Sequence, residues 1–338
     1  MATEYIVFVH GVNTREEREV KTYADKLIER IDREIASHSS NITRKYIPLY
    51  WGDVNKPEED KLLNKLKQSP TWKKMWFQEF REKQLMQFVG DAALYISRHV
   101  GSKVVIAIAE QLKKALPANP EPGDRMHLIA HSWGTVILFD VLFAARWDNP
   151  DLPTYESVRR IRQGIFGVKP EPLHGIRLSS IHTMGSPIAF FNLINVVSGE
   201  DQAKGERELT QEQAKKIATH DITPQLEALL EQLYNERGQK TLPWRNFIHP
   251  GDPVAYPLAT IMPDLVDGKR QCLDIQDLLT SNADLSDFLV QSISRSFLAL
   301  LHGGDAHGSY WESRDVVKAI TQVILQEAAH PSTAVVST

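Results

Sequence analysis

Length, composition and charge place this chain among ordinary globular proteins. Its 338 residues are 42% hydrophobic and 24% charged, which suffices for a large core and excludes a disordered or fibrous chain. The 39 basic and 43 acidic residues give a net charge of −4. The chain has no surplus of basic residues, so we expect no nucleic-acid partner. A single cysteine, Cys272, cannot form an internal disulfide, and we expect it to be a small apolar strand residue in a reducing compartment.

The apolar runs of the sequence are short. The opening residues, MATEYIVFVHG, have no basic stretch followed by a long apolar run, so they do not predict a secretion signal. The run at 104–109 is far shorter than the ~20 residues that span a bilayer. We therefore expect a soluble, cytoplasmic chain, with peripheral contact to membrane lipid as an open alternative.

Strands and helices alternate along the chain. Apolar and β-branched runs predict strands at 5–9, 44–50, 126–130, 176–183, 247–248 and 270–275. Apolar spacing predicts helices at 15–37, 135–146 and 309–328. This alternation favours an α/β fold with a doubly wound, mostly parallel sheet of about six strands and helical cap insertions.

Two stretches exceed what such a sheet needs, within a chain that we interpret as one domain over residues 1–338. Residues 54–122 contain helices rich in aromatic residues. Residues 192–243 are charged, with helices predicted at 210–218 and 223–237. The aromatic residues at 72–89 either pack against the main body or form a cap that offers apolar surface to an acyl chain.

A serine lies where a predicted strand meets a predicted helix, in Ala130-His131-Ser132-Trp133-Gly134. Small residues two before and two after the serine allow a strained turn, which lifts the hydroxyl clear of the sheet. The helix N-terminus then favours negative charge that develops near the serine. The pattern predicts Ser132 as a nucleophile, and the alternative is an ordinary N-cap serine.

Backbone amides near this serine predict a binding site for the oxyanion of an acyl-transfer reaction. Trp133 supplies one amide, and Val12 supplies the other from the loop after the first strand. Gly11 has no side chain to block the approach of substrate. The alternative for this loop is a tight turn after an edge strand. We expect His10, on the oxyanion side, to be a structural hydrogen-bonding residue.

An activated serine needs a base and an acid that orients the base, in the chain order Ser, Asp, His. Asp252 follows a predicted strand and is the predicted acid, with a simple turn aspartate as the alternative. His307 lies in a glycine-rich loop and is the predicted base. His302 is its rival, although it directly follows an apolar run typical of a buried segment.

Cofactor and metal motifs are missing from the sequence. No Cys-x-x-Cys spacing is present, and neither is a glycine-rich phosphate or dinucleotide turn. We therefore expect no metal and no cofactor.

Taken together, these motifs resemble the α/β-hydrolase superfamily, and within it the lipase-like and inositol-deacylase-like serine esterases. The segments are VHGVN at 9–13, IAHSWGT at 129–135, TMGSPI at 183–188, HPGDPVAYP at 249–257 and HGSYW at 307–311. The resemblance implies a triad of Ser132, Asp252 and His307, and a lid within 192–243. Ala130 replaces the first glycine of the usual serine motif, and two strands that often precede the first one are missing.

The sequence thus predicts a serine hydrolase that cleaves a carboxylic ester, of a small molecule or a lipid, through an acyl-enzyme on Ser132. A peptidase or a thioesterase would use the same triad. Two further alternatives are a non-catalytic binding protein on a hydrolase fold and a membrane-surface protein anchored by helices of 54–122.

Overall fold

A computed structural model of the chain describes residues 2–12, 14, 22–39, 41–82, 95, 98–190, 222–267, 271–280 and 306–329. Several sequence predictions lie outside these residues: the start of the first helix at 15–21, the aromatic residues at 83–89, the helix at 210–218, and the rival base His302.

The centre of the protein is a parallel sheet. Its strands are β1 (Thr3–Val9), β2 (Thr43–Leu49), β3 (Arg125–His131), β4 (Ile165–Phe166), β5 (Ile176–Met184), β6 (Leu242–Ile248) and β7 (Leu273–Leu279). Their order is β2-β1-β3-β5-β6-β7, with the two-residue β4 beside β5, and every recorded strand pair is parallel. The predicted α/β class and its six longer strands are confirmed.

Two strand boundaries differ from the prediction for physical reasons. β6 begins at Leu242, five residues before the predicted strand. The prediction missed these residues because two of them are polar and yet buried: Arg245 pairs with Asp274 at 2.9 Å, and Asn246 is fully buried. β7 is shifted toward the C-terminus relative to the prediction. Its side chains are mostly half-buried or exposed, so its apolar signal is weak.

The longer helices are α1 (Asp25–His38), α2 (Lys56–Lys67), α3 (Arg98–Ala115), α4 (Trp133–Phe143), α5 (Tyr155–Gly164), α6 (Thr223–Glu236) and α7 (Arg314–Ala329). The helix predicted at 135–146 begins two residues earlier and ends at Phe143. The helix predicted at 309–328 is interrupted, because Ser313 has an extended backbone between a short helical turn, Ser309–Glu312, and α7.

Helices cover both faces of the sheet, as the doubly wound prediction requires. Ile6 and Phe8 of β1 point to one face, where they share a buried cluster with α1 and α7. Val7 and Val9 point to the other face, where the cluster includes α3, α4, α5 and α6. β1 therefore has no solvent-facing side, which explains its nearly continuous apolar sequence.

The stretch 54–122 contains a core helix. α3 connects β2 to β3 and buries Val104, Val105 and Ile108 under the sheet. Further toward the N-terminus, Trp72 is buried, whereas the exposed fractions of Trp76 and Phe77 are 77% and 60%. Burial thus accounts for one of these aromatic residues and not for the other two.

A chain of buried polar side chains crosses the amino-terminal half of the sheet. Arg125 donates to Glu4 at 2.7 Å, and His127 contacts the second oxygen of Glu4 at 2.9 Å. The other ring nitrogen of His127 lies 2.6 Å from Ser180 Oγ, which lies 2.8 Å from His182 Nε2. These side chains lie on three neighbouring strands, β1, β3 and β5. A one-residue slip of any strand would turn its side chains to the other face of the sheet and separate the partners.

The strand order fixes where a ligand can bind. After β1 the chain adds β2 on one side, and then returns to add β3 on the other side. In such sheets, ligands bind at the carboxyl ends of the strands where the order reverses. Val9 is the register partner of Ala130, so the loop after β1 and the turn after β3 meet at that point.

Among the described residues, no helix is both long enough and apolar enough to cross a bilayer.

We predict that the buried side of α1 contributes a large share of the free energy of unfolding. Leu27 is fully buried, so Leu27→Ala should lower the free energy of unfolding by about 2–5 kcal/mol. The matched change Leu173→Ala, at a leucine that is 69% exposed, should cost less than about 0.5 kcal/mol. Urea unfolding of both variants is the measurement, and equal costs would contradict the packing of α1.

Candidate active site

Ser132 occupies a strained turn between β3 and α4. Its backbone angles are φ 53° and ψ −132°, a region that non-glycine residues enter at a cost of about 1–3 kcal/mol. The turn is fixed by hydrogen bonds from Ser132 N to Met184 O at 2.9 Å and from Thr135 Oγ1 to Ser132 O at 2.7 Å. An N-cap hydrogen bond from the Ser132 side chain is not formed, so the ordinary N-cap interpretation is not supported.

Two glycines permit this turn. A Cβ atom on Gly134 would lie 2.3 Å from the carbonyl oxygen of His10, and a Cβ on Gly11 would lie 2.5 Å from Ser132 Cβ. Both distances are far shorter than a van der Waals contact, so β1 can approach the serine turn this closely only because both residues are glycine. The sequence explained Gly11 by substrate access, whereas the structure explains it by the packing of Ser132.

Asp252 and His307 form a hydrogen-bonded pair, although they lie 55 residues apart in sequence. His307 Nδ1 lies 2.8 Å from Asp252 Oδ2. The same oxygen accepts from the hydroxyl of Tyr310 at 2.7 Å, and Asp252 Oδ1 accepts from the amide of Val254 at 2.9 Å. The carboxylate is therefore buried with three donors, the environment that an acid needs to orient a histidine.

The electrostatics of this pair favour an ionised carboxylate. Burial raises the pKa of Asp252, but the hydrogen bond and charge of His307, with the donors from Tyr310 and Val254, outweigh burial and lower it below its ordinary value. Burial beside Asp252 raises the pKa of Tyr310, so its hydroxyl stays protonated and donates. At neutral pH the carboxyl group of Asp252 is therefore ionised.

The second nitrogen of His307, Nε2, is buried and has no hydrogen-bond partner among the described residues. Gly185 lies against the pair: a Cβ there would be 2.7 Å from Asp252 Oδ2 and 3.0 Å from His307 Cε1, and its φ is +55°. In the sequence, Gly185 is recognisable only as part of the segment TMGSPI. The structure gives its role, which is to leave room for the aspartate and the histidine above the end of β5.

His131 is a residue of the site that sequence reasoning missed. Its Nε2 donates to the backbone oxygen of His307 at 2.6 Å, and the centroids of the two rings are 4.6 Å apart. Burial, reinforced by the neighbouring charge of His307, lowers the pKa of His131 to about 3, so this ring is neutral at physiological pH. Its position directly before Ser132 was the only signal in the sequence.

His10 has both ring nitrogens engaged with the backbone. Nδ1 donates to Gly11 O at 2.7 Å, and Nε2 accepts from the amide of Trp51 at 3.0 Å. The indole of Trp51 stacks on the imidazole with centroids 5.2 Å apart and planes at 3°. These contacts agree with the structural role predicted for His10.

The predicted oxyanion amides belong to the residues that directly follow Ser132 and Gly11. Trp133 is the first residue of α4, so its amide has no acceptor within the helix. Val12 follows Gly11, whose position in contact with Ser132 brings this loop to the serine side chain. The roles of the two amides stay predictions.

Within the part of the chain that the structure describes, no three His, Cys, Asp or Glu side chains are grouped as metal ligands.

The strand order, the strained serine turn between β3 and α4, and the chain order Ser132, Asp252, His307 are those of the α/β-hydrolase fold. No protein-family model matches the chain, and no curated protein matches it. Among solved structures it is similar to a dienelactone hydrolase from Anabaena variabilis, with 10% identity, a TM-score of 0.35, and coverage of 98% of this chain and 88% of that one. We assign the fold from the strand order and the serine turn.

We predict that Tyr310 positions Asp252. Tyr310→Phe removes the 2.7 Å donor to the carboxylate and the acceptor for the His249 amide at 2.9 Å. If the Asp252–His307 pair activates Ser132, labelling by a fluorophosphonate should slow by about tenfold. Tyr46→Phe, which removes a hydroxyl bonded to Asp32 at 3.1 Å, is the matched control and should label normally. An unchanged rate for Tyr310→Phe would show that His307 and Val254 suffice to hold Asp252.

We predict that buried, neutral His131 makes folding sensitive to acid. An unfolded histidine binds a proton below about pH 6.5, whereas folded His131 does so only near its pKa of about 3. The free energy of unfolding should therefore fall as the pH falls between these values, by at most ~1.4 kcal/mol per pH unit from this residue. His131→Asn should reduce that slope in urea titrations, whereas His38→Asn, at an exposed histidine, should not. Equal slopes for the parent and His131→Asn would contradict the buried neutral state.

Proposed function

We propose that the protein is a serine hydrolase that cleaves a carboxylic ester through an acyl-enzyme on Ser132. The observation that carries the proposal is the Asp252–His307 pair, in which His307 Nε2 is buried and unpartnered among the described residues, together with a serine held at positive φ. Two contacts connect the pair to the serine turn. His131, the residue before Ser132, bonds to His307 O, and Met184, the residue before Gly185, accepts from Ser132 N.

Acylation follows from these positions. His307 Nε2 takes the proton of Ser132 Oγ as the oxygen attacks the ester carbonyl, and a tetrahedral oxyanion forms. The amides of Val12 and Trp133 donate to that oxyanion, assisted by the positive N-terminal end of α4. Asp252, ionised because its pKa is lowered, stabilises the imidazolium that results.

Breakdown of the intermediate releases the alcohol, which takes the proton from His307 and leaves the acyl group on Ser132 Oγ. A water molecule then gives a proton to His307 and attacks the acyl carbonyl. The second tetrahedral intermediate collapses to release a carboxylic acid, and His307 returns the proton to Ser132. No cofactor takes part in either step.

The surroundings of the serine favour an apolar acyl group. Val12, Trp133 and Ala189 follow β1, β3 and β5, and each is a partly buried apolar residue that packs against the core beneath. They lie at the carboxyl edge of the sheet, where the substrate would bind. We therefore infer a medium-length or lipid acyl ester as the substrate, in preference to a charged one.

The test is labelling of the full chain with a fluorophosphonate probe. Ser132→Ala should abolish labelling, and His307→Ala and Asp252→Ala should slow it by at least about a thousandfold, since the three residues act as a unit. His174→Ala and Ser69→Ala, at an exposed histidine and serine, are matched controls and should label normally.

A substrate panel then separates the reaction classes that share this triad. Ester, thioester and peptide substrates with the same acyl group should show the highest kcat/KM for the ester, and kcat/KM should rise with acyl length. Labelling that does not require Ser132 would refute Ser132 as the nucleophile. No labelling in a folded sample, with and without lipid, would replace the proposal by a non-catalytic binding protein.

A further inference from the structure

A block of lysines stands out in a chain of negative net charge. Residues 61–77, which we call the lysine–aromatic segment, contain five lysines and no acidic residue, whereas the whole chain has a net charge of −4. The five are exposed, at positions 61, 65, 67, 73 and 74. The acidic residues of this region lie outside the segment, at 58–60, 79 and 82, and Lys67 pairs with Glu82 at 2.6 Å.

The same segment exposes large apolar side chains. Trp76 is 77% exposed and Phe77 is 60% exposed. Leu62 and Leu66 are 49% and 36% exposed, and they lie one helical turn apart on the same face of α2. Single exposed apolar residues need no explanation, but four within 16 residues mark a surface that contacts an apolar partner.

The turn that carries the two aromatic residues is fixed by hydrogen bonds. Phe77 has a φ of 57°, a left-handed conformation that is unfavourable for a bulky residue. Arg81 donates to Phe77 O at 2.9 Å and to Trp76 O at 3.1 Å, and Gln78 donates to Trp72 O at 2.9 Å. The backbone is thus held in an unfavourable conformation while the adjacent rings stay in water.

The segment begins at the edge of the sheet that carries the candidate active site. α2 starts seven residues after β2 ends, and the amide of Trp51 in this connection binds His10 at 3.0 Å. His10 precedes Gly11, which contacts Ser132. The connection that leads into the lysine–aromatic segment therefore starts beside the loop that contacts Ser132.

We propose that the lysine–aromatic segment docks on an anionic lipid surface. Lysines attract acidic headgroups over the range of a Debye length, and tryptophan and phenylalanine insert at the boundary between headgroups and acyl chains. A nucleic acid would complement the charge but would leave Leu62 and Leu66 in water. An acidic protein would lack the extended apolar layer that two rings and two leucines can enter. Lipid matches both features.

The experiment is co-sedimentation of the full chain with vesicles of phosphatidylcholine alone and with about 30% phosphatidylserine, at low and high salt. We expect binding to the anionic vesicles to be at least about tenfold tighter and to weaken as salt screens the lysines. Lys73→Gln combined with Lys74→Gln should reduce it by about tenfold. Lys113→Gln with Lys114→Gln, another exposed neighbouring pair, is the matched control and should bind normally.

The aromatic contribution has its own variants. Trp76→Ala with Phe77→Ala should reduce binding to the anionic vesicles by at least about tenfold, while Leu173→Ala, at another exposed apolar residue, should not. Equal binding to neutral and anionic vesicles, or no effect of the aromatic variants, would overturn the proposal. If the chain does not bind vesicles but forms a dimer that Trp76→Ala converts to a monomer, the surface binds a second copy of this chain instead.

This proposal stands apart from the proposed esterase activity, because vesicle binding is measured without turnover. Ser132→Ala should bind vesicles like the parent chain, and the Lys73/Lys74 variant should label with fluorophosphonate like the parent chain. Lipid binding without labelling would refute only the esterase, and labelling without lipid binding would refute only the docking surface.

Discussion

The close approach of β1 to the turn after β3 is the constraint on which the rest of the site depends. Gly11 contacts Ser132, and Gly134 lies under the carbonyl of His10, so a side chain at either position would push β1 away from α4. The serine conformation costs about 1–3 kcal/mol. Burial of Ile6, Val7 and Phe8 between two helical layers contributes roughly 1.5–3 kcal/mol each. The core around β1 therefore outweighs the strain at Ser132.

Three histidines surround this turn, and their environments decide what each can do. His10 uses both ring nitrogens in backbone hydrogen bonds, so neither is available to a substrate. His131 is buried and neutral and supports the backbone of His307. Only His307 combines a buried carboxylate on one nitrogen with an unpartnered second nitrogen, among the residues described. The chemical difference among the three lies in their neighbours.

Much of this arrangement could be predicted from sequence, because buried strands require runs of apolar residues and the strained serine turn requires small residues on both sides. β1 and β3 are buried on both faces and were found directly, and the serine turn was found from Ala130 and Gly134. The pairing of Asp252 with His307 was inferred from chain order, and the structure brings the two together. The labelling experiment tests whether these two residues are catalytic.

Other features could not be read from sequence, because they depend on contacts between distant segments. Most of β6 was missed because Arg245 and Asn246 look like surface residues until their partners on β7 are known. The roles of Tyr310 and Gly185 become clear only in the structure, where both lie against Asp252. His131 reaches a backbone oxygen 176 positions further along the chain, a contact that no local pattern encodes.

The segment that supplies His307 and Tyr310 has a consequence for the order of biosynthesis. Ser132, Gly11 and the strands β1 and β3 that they follow belong to the first half of the chain, whereas His307 and Tyr310 directly precede α7, which packs on α1. A ribosome therefore releases the serine turn before His307, the proposed base, can reach Asp252. The hydrogen bond between His307 and Asp252 can form only after residues 306–329 have left the exit tunnel, and only then can α7 pack on the face of β1 that it shares with α1.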